Sequence, residues 1–358
     1  MKKVYKLLGI IAFVVIIGFS FTVCSNGSID PGQIDPGQID PGHTHTPGAV
    51  ATCTTDQTCT VCGAVIVSAL GHSWADTVNN RLCLTCGELN FTPDVTIDLV
   101  TSEVSGAVNT ATAPDITISP AAGETVLITG DSGVTLRSIR IDAVTDIYLH
   151  SSVRLKGRST TALRVQAGST MYGGGPNVSI TGTEGLVNNN AITIDSSGGS
   201  STATTTFAGS FGTISGGNHN SHSGGRGIAV NRGSLDITAS ITAIRGGNSG
   251  YDQANSTWSR DGGDAIYMGN SGSSLTISGT IGLIKGGDGG SAAAGSNRDG
   301  ANGGRGIYNS TGGTVTVTIH GASGGTAPSW IQGGAPGNGD GIGADGEPGI
   351  PIDATGWH

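Results

Sequence analysis

Four cysteines carry the most specific chemistry in this 358-residue chain. They stand as Thr58-Cys59-Thr60-Val61-Cys62-Gly63 and Leu82-Cys83-Leu84-Thr85-Cys86-Gly87, two C-x-x-C-G units with 20 residues between. A C-x-x-C turn aims two sulfurs at one centre and the Gly lets the turn tighten, so Cys59, Cys62, Cys83 and Cys86 have the spacing of a four-thiolate zinc site. His72, in Leu70-Gly71-His72-Ser73-Trp74, can replace a thiolate or orient one from behind, or simply pack with Trp74 in a hairpin. In an oxidising compartment the same sulfurs could instead form disulfides, and both schemes leave Cys53 over. Zinc fits better, because a C-x-x-C disulfide is strained and usually redox-active. Four thiolates leave no open coordination position, so the expected role is structural.

A second set of residues could bind a ligand. Arg137, Arg140, Arg154, Lys156, Arg158 and Arg164 fall within 28 positions, with Asp142 and Asp146 nearby. Such a band suits uronates, although alternating outward cations also simply keep a sheet soluble. Arg140, Arg154 and Arg164 are the candidates. Tyr267 and Tyr308 follow the same anchoring Ile in successive repeats and could form a platform for a sugar ring, joined by Trp258 or Trp330. Asp261, Asp264, Asp288, Asp299, Asp340 and Asp345 sit in Gly-rich stretches and read as turn residues. His43 and His45 stand as a His-x-His pair that could bind metal, although in a Pro/Gly-rich tether two imidazoles are more often simply solvated. Hydrolysis needs two converging carboxylates, and no such pair is legible. The chain has no HExxH or P-loop.

Short strands must position these residues. From about Val95 the chain alternates small aliphatic runs with Gly, Ser, Asn and Asp and shows no helical period. Ile139, Ile147, Leu155 and Leu163 are each 8 apart, so three strands make one turn of 24 residues. That is a coil of a parallel β-solenoid, with Arg140 and Arg164 stacked about 4.8 Å apart on one outer face. Farther on, strands open at Ile192, Ile228, Ile266, Ile307 and Ile342, spaced 36, 38, 41 and 35 residues. Others close with Ile-polar-Gly-Gly at Ile214, Ile244, Ile284 and Ile331. Each unit thus joins a strand-rich coil to a Gly-rich insertion, and variable insertions at one place in a repeat map to one side of a solenoid. The repeats resemble the right-handed parallel β-helix, or pectin-lyase-like, fold over residues 115–345. That resemblance implies polysaccharide lyases and hydrolases as one functional class.

Composition sharpens the picture. Gly makes up 63 of 358 residues, more than double the usual ~7%. Charged residues are 12% and aromatics 4%, so the core must be aliphatic. With Pro at 12 and no sustained period of three, collagen is excluded. The glycines concentrate after residue 172, where they are expected to permit left-handed backbone and close stacking.

Lys2, Lys3 and Lys6 precede an apolar run from Leu7 to Phe21, which at about 1.5 Å per residue spans roughly 22 Å, short of the ~30 Å hydrocarbon core. The run ends at Phe21-Thr22-Val23-Cys24, which resembles the leader of bacterial lipoproteins, though the family prefers a small residue at Val23 and Leu at Phe21. The resemblance implies cleavage before Cys24 and lipidation of Cys24. Residues 29–42 then repeat Ile-Asp-Pro-Gly-Gln nearly three times, a tether. Residues 51–90 resemble a zinc ribbon and a short Cys-rich module of bacterial surface proteins. Without the three leader lysines, 14 basic residues face 26 acidic ones, a net charge of −12 that disfavours nucleic acid as a partner.

The sequence therefore leads to an all-β chain in five parts: a signal peptide over 1–23, a tether over 24–50, a Cys-rich zinc-ribbon-like module over 51–90, Gly-rich β-helix repeats over 91–345 and a tail over 346–358. The expected protein is lipid-anchored in the bacterial envelope, holds structural zinc, touches the membrane through its lipid only, and presents a surface for adhesion or for binding a glycan or protein. A polysaccharide-cleaving enzyme and a plain spacer are the alternatives.

Overall fold

The computed structural model describes residues 44–74, 81–106, 115–121, 123–133, 137–158, 161–185, 189–195, 202–220, 222–250, 261–292, 299–310, 316–320, 328–339 and 347–353. The expected leader, Cys24, His43, Trp258 and Ile342 lie outside them. The described residues form strands and turns with no helix. The chain divides into two compact units, residues 1–71 and 72–358. In the first, an antiparallel pair, Gln57–Thr58 with Val65–Val67, carries the first C-x-x-C turn.

The second unit is wound from parallel strands, as in a β-solenoid. One sheet has eight strands: Asp115–Ile118, Ser138–Ile141, Thr161–Gln166, Asn190–Asp195, Ile228–Val230, Ile266–Met268, Ile307–Asn309 and Ile352–Asp353. The other holds two rows. The first row includes Thr125–Thr129, Asp146–Leu149, Thr170–Gly174, Ser234–Ile237 and Ser274–Ile277, and the second includes Arg154–Lys156, Ser179–Thr181, Ser240–Arg245 and Ile284–Lys285. The 12-residue strand Thr204–Ser215 belongs to both rows and fuses them. Register stacks like on like. Ile116, Ile139, Leu163, Ile192, Ile228, Ile266 and Ile307 form one inward ladder. Leu155, Ile180, Ile214, Ile244, Ile284 and Ile331 form another. All are buried in one aliphatic core, where each full side chain is worth about 1.5–3 kcal/mol.

The coil from Ile139 to Leu163 takes the expected 24 residues. Later coils lengthen, and the last pairs Ile307 with Ile352, 45 residues on, instead of the expected Ile342. The N–H of Ile307 donates to the Pro351 carbonyl at 2.8 Å, so pairing continues past residue 345, the expected end of the repeats.

The extra residues that the structure describes are not free loops. Beyond the strand ends the chain runs out and back as extended Gly-rich arms whose backbones bond directly. Gly225 donates to Gly217, Gly247 to Gly225, Gly263 to Gly247, Gly287 to Gly263, Gly304 to Gly287, Gly334 to Gly304 and Gly349 to Gly334, at 2.7–3.0 Å. A Cβ on any of Gly225, Gly247, Gly263, Gly287, Gly304, Gly334 or Gly349 would lie 1.8–2.1 Å from a backbone oxygen. None of these glycines has positive φ, so they serve close approach, while the expected left-handed role falls to others such as Gly185, Gly209, Gly233 and Gly272. Side chains extend the pattern. The Asn218 carboxamide oxygen accepts the Asn248 N–H, that of Asn248 the Asp288 N–H, and the Asp288 carboxylate the Ala335 N–H, each at 2.8 Å. Asp288 is therefore a rung of a ladder and not merely a turn residue.

The second C-x-x-C turn packs on the outer face of the solenoid. Leu82, Leu127 and Tyr148 are buried together, flanked by Leu84, Leu89, Phe91 and Tyr172. Tyr148 stacks on Tyr172 at 4.7 Å. Arg81 donates to the Tyr148 hydroxyl at 3.1 Å and faces Asp146 at 3.6 Å.

Two alanine substitutions test the arms. Gly272 has φ +79° but open space around its Cβ position, so Gly272→Ala should cost only about 1–2 kcal/mol. Gly287→Ala would bring its Cβ to 1.9 Å from the Gly247 oxygen and should cost about 4 kcal/mol or more. Denaturant unfolding of both variants compares the two; equal losses would refute direct backbone packing.

Candidate binding cleft and Cys-His clusters

The eight-stranded sheet presents one outward row. By register it runs Thr117, Arg140, Arg164, Thr193, Ala229, Tyr267, Tyr308, Asp353. Four of the five ligand-binding candidates, Arg140, Arg164, Tyr267 and Tyr308, therefore share a single line of side chains. A carboxylate holds each arginine of the row: Arg140 Nε reaches Asp142 at 2.6 Å, and Arg164 reaches Asp195 at 2.5 Å. Tyr267 and Tyr308 meet edge to face, with ring centroids 5.8 Å apart.

Two further arginines complete the row, and sequence reasoning missed them. Arg226 lies over the Tyr267 ring at 3.4 Å and Arg305 over the Tyr308 ring at 3.9 Å, positions in which a guanidinium is attracted by the ring quadrupole. Both face Asp264, at 3.9 and 4.0 Å. The signal was present: Gly224-Gly225-Arg226-Gly227-Ile228, Gly262-Gly263-Asp264-Ala265-Ile266 and Gly303-Gly304-Arg305-Gly306-Ile307 each place a charge two residues before the anchoring Ile. Asp264 accepts the Arg305 backbone N–H at 3.0 Å. Burial pushes its carboxyl above the ordinary range, although the Arg305 N–H and both guanidinium groups oppose the shift.

A cleft of about 570 Å³ opens on this row, lined by Asp115, Arg140, Arg164, Asp195 and Arg226 among others. A smaller hollow of about 330 Å³ also touches Arg226 and continues to His222, Asp261, Asp264 and Arg305. Fixed, alternating charges beside two tyrosines suit a hydroxyl-rich, weakly charged ligand.

The remaining cations of the expected band are dispersed. Arg154 belongs to the second sheet, pairs with Ser179, and bonds the carbonyls of Ser151 and Val153 in its own turn. Arg137 is buried and donates to the Leu99 carbonyl. Trp330 packs against the aliphatic core and not beside the tyrosines. Side-chain alternation shows that residues point outward, but it does not show which outward row they join.

Among the described residues the cysteines form Cys-His groups with no disulfide. In the first unit, ligand atoms of His45, Cys59 and Cys62 lie within 4.8 Å of one another, and Cys62 Sγ is 3.4 Å from His45 Nδ1. In the second, those of His72, Cys83 and Cys86 lie within the same limit, and Cys86 Sγ is 3.6 Å from His72 Nδ1. The other nitrogen of His72 faces Glu88 at 3.6 Å, the carboxylate support common behind a metal-ligating imidazole. His72 also stacks on Trp74 at 4.8 Å. The Cys83 thiol is drawn down to about 6: burial opposes ionisation, but the N–H groups of Cys86 and Thr85 and the His72 ring outweigh it. Cys53 is buried, and its carbonyl accepts the Gly71 N–H at 3.0 Å. Soft sulfur and imidazole donors at this separation suit zinc.

Asp264 supplies a pH test. Its folded pKa is raised, so the native state binds more protons than the unfolded chain, and its contribution to stability is complete below the unfolded value of 3.8 and lost as pH rises through the folded one. Wild type should therefore gain stability relative to Asp264→Asn as pH falls toward 4, measured by denaturant unfolding; a difference independent of pH would refute it. No protein-family model, curated protein or solved structure matches this chain, so its function is read from this geometry.

Proposed function

We propose that this protein is a non-enzymatic envelope lipoprotein that binds a glycan along the Arg-Tyr row of its β-solenoid. The observation that carries the reading is the alignment of Arg140, Arg164, Tyr267 and Tyr308 in one row, with Arg140, Arg164 and Arg226 lining a 570 Å³ cleft and Arg226 and Arg305 lying over the tyrosine rings. The guanidinium-covered tyrosines hold a rigid edge of ring and cation for a sugar to lie along, and guanidinium groups already fixed by carboxylates donate to hydroxyl or carboxylate oxygens at little entropic cost. Because Asp142, Asp195 and Asp264 are engaged with arginines, they serve as braces. Hydrolysis would ask for a free pair across one bond.

The leader, Cys24 and the Pro-Gly repeat supply the anchor and the tether in this reading. Lipid on Cys24 makes the membrane attachment, and the acidic mature chain does not bind the bilayer itself. The solenoid is of the right-handed pectin-lyase-like kind, and the Cys-His groups hold structural zinc as in a zinc ribbon.

Glycan-array binding by the soluble ectodomain tests the proposal. Arg140→Ala with Arg164→Ala, and separately Tyr267→Ala with Tyr308→Ala, should each weaken binding at least tenfold, roughly 1.4 kcal/mol or more. Cleavage of a bound glycan would replace this reading with an enzymatic one. Absence of any ligand would leave a spacer.

A further inference from the structure

We infer that the chain carries two separate metal centres, one at each C-x-x-C turn: His45 with Cys59 and Cys62, and His72 with Cys83 and Cys86. This rests on reading the cysteines as metal ligands and divides the single four-thiolate site expected from spacing into two.

The argument is a structural duplication. In the first unit Pro47, two residues after His45, pairs with Cys59 in an antiparallel bridge. In the second, Trp74, two residues after His72, pairs with Cys83 in the same way. The carbonyl one residue after each histidine, Thr46 or Ser73, accepts the N–H one residue after the first cysteine, Thr60 at 2.9 Å or Leu84 at 2.5 Å. Both turns then close alike. Gly63 N–H donates to the Cys59 carbonyl and Gly87 N–H to that of Cys83, each at 2.9 Å. Val61 N–H points at Cys59 Sγ and Thr85 N–H at Cys83 Sγ, each at 3.4 Å. Gly63 and Gly87 hold φ +73° and +74°.

A short strand segment upstream of each turn thus lays one imidazole against two sulfurs by the same set of backbone bonds. His45 is exposed yet held in place, because the pairing of residues 46–48 with 58–60 fixes where it stands. Backbone N–H groups directed at sulfur stabilise thiolate, the form that ligates metal. One imidazole and two thiolates at one point are a soft donor set for a tetrahedral divalent ion such as Zn²⁺, with room for one further ligand. A single four-sulfur centre would leave the duplicated histidines without a role. The repeated unit is the triad of one His and one C-x-x-C.

Metal content of the full mature chain, loaded with Zn²⁺ and freed of excess, decides the matter. Wild type should hold two ions. Cys59→Ser with Cys62→Ser should leave one, and Cys83→Ser with Cys86→Ser should also leave one, so retention of the second ion in each variant serves as its own control for folding. With Co²⁺ as probe, His45→Ala should weaken one of two binding steps at least tenfold and leave the other unchanged. One ion in wild type that is lost in both paired variants would overturn the two-centre inference while keeping the zinc reading. No ion, with the thiols oxidised, would overturn both.

Discussion

Backbone packed on backbone, with no side chain between, is the constraint on which the solenoid depends. The bonds from Gly225 through Gly349 join outgoing and returning arms of successive coils, and at these glycines a Cβ would occupy the space of a carbonyl oxygen. Every such N–H finds a partner outside any regular strand, which meets the requirement that interior backbone groups be paired. A coil can therefore lengthen from 24 to 45 residues between register partners while the described parts of its added segment stay bonded to the neighbouring coils. Only Gly permits it, at the entropic cost that Gly brings in regular structure.

The binding row inherits its geometry from that packing. Arg226, Asp264 and Arg305 each follow a Gly-Gly pair directly and precede the inward Ile by two residues. The arm thus sets the height of each charge, and the Ile ladder sets where the next outward residue, Ala229, Tyr267 or Tyr308, must point. The guanidinium-ring stacks arise where these two supports meet.

The two C-x-x-C turns show how one local design can serve different surroundings. The first closes a small hairpin unit of its own. The second rests on Tyr148, whose hydroxyl is bonded by Arg81 and whose ring stacks on Tyr172. Burial raises the Tyr148 pKa, against the pull of Arg81, so the phenol stays neutral and acts as a core residue. An expected module of residues 51–90 thus lies across the boundary between the two units.

By itself the sequence determined what is written within a few neighbours. Alternation marked the strands, the 8-residue spacing of Ile139, Ile147, Leu155 and Leu163 showed a three-strand coil, and C-x-x-C-G marked the two turns. These features are local because side-chain direction in a strand and the closing of a tight turn are set by adjacent residues. Tertiary structure alone decided that Arg154 is excluded from the row shared by Arg140 and Arg164, that Arg226 and Arg305 cover the tyrosine rings, that His45 stands beside a cysteine pair, and that Ile352 pairs with Ile307. Each depends on register between segments well separated along the chain, and register is fixed by the summed burial and hydrogen bonding of whole coils rather than by the wording of any one.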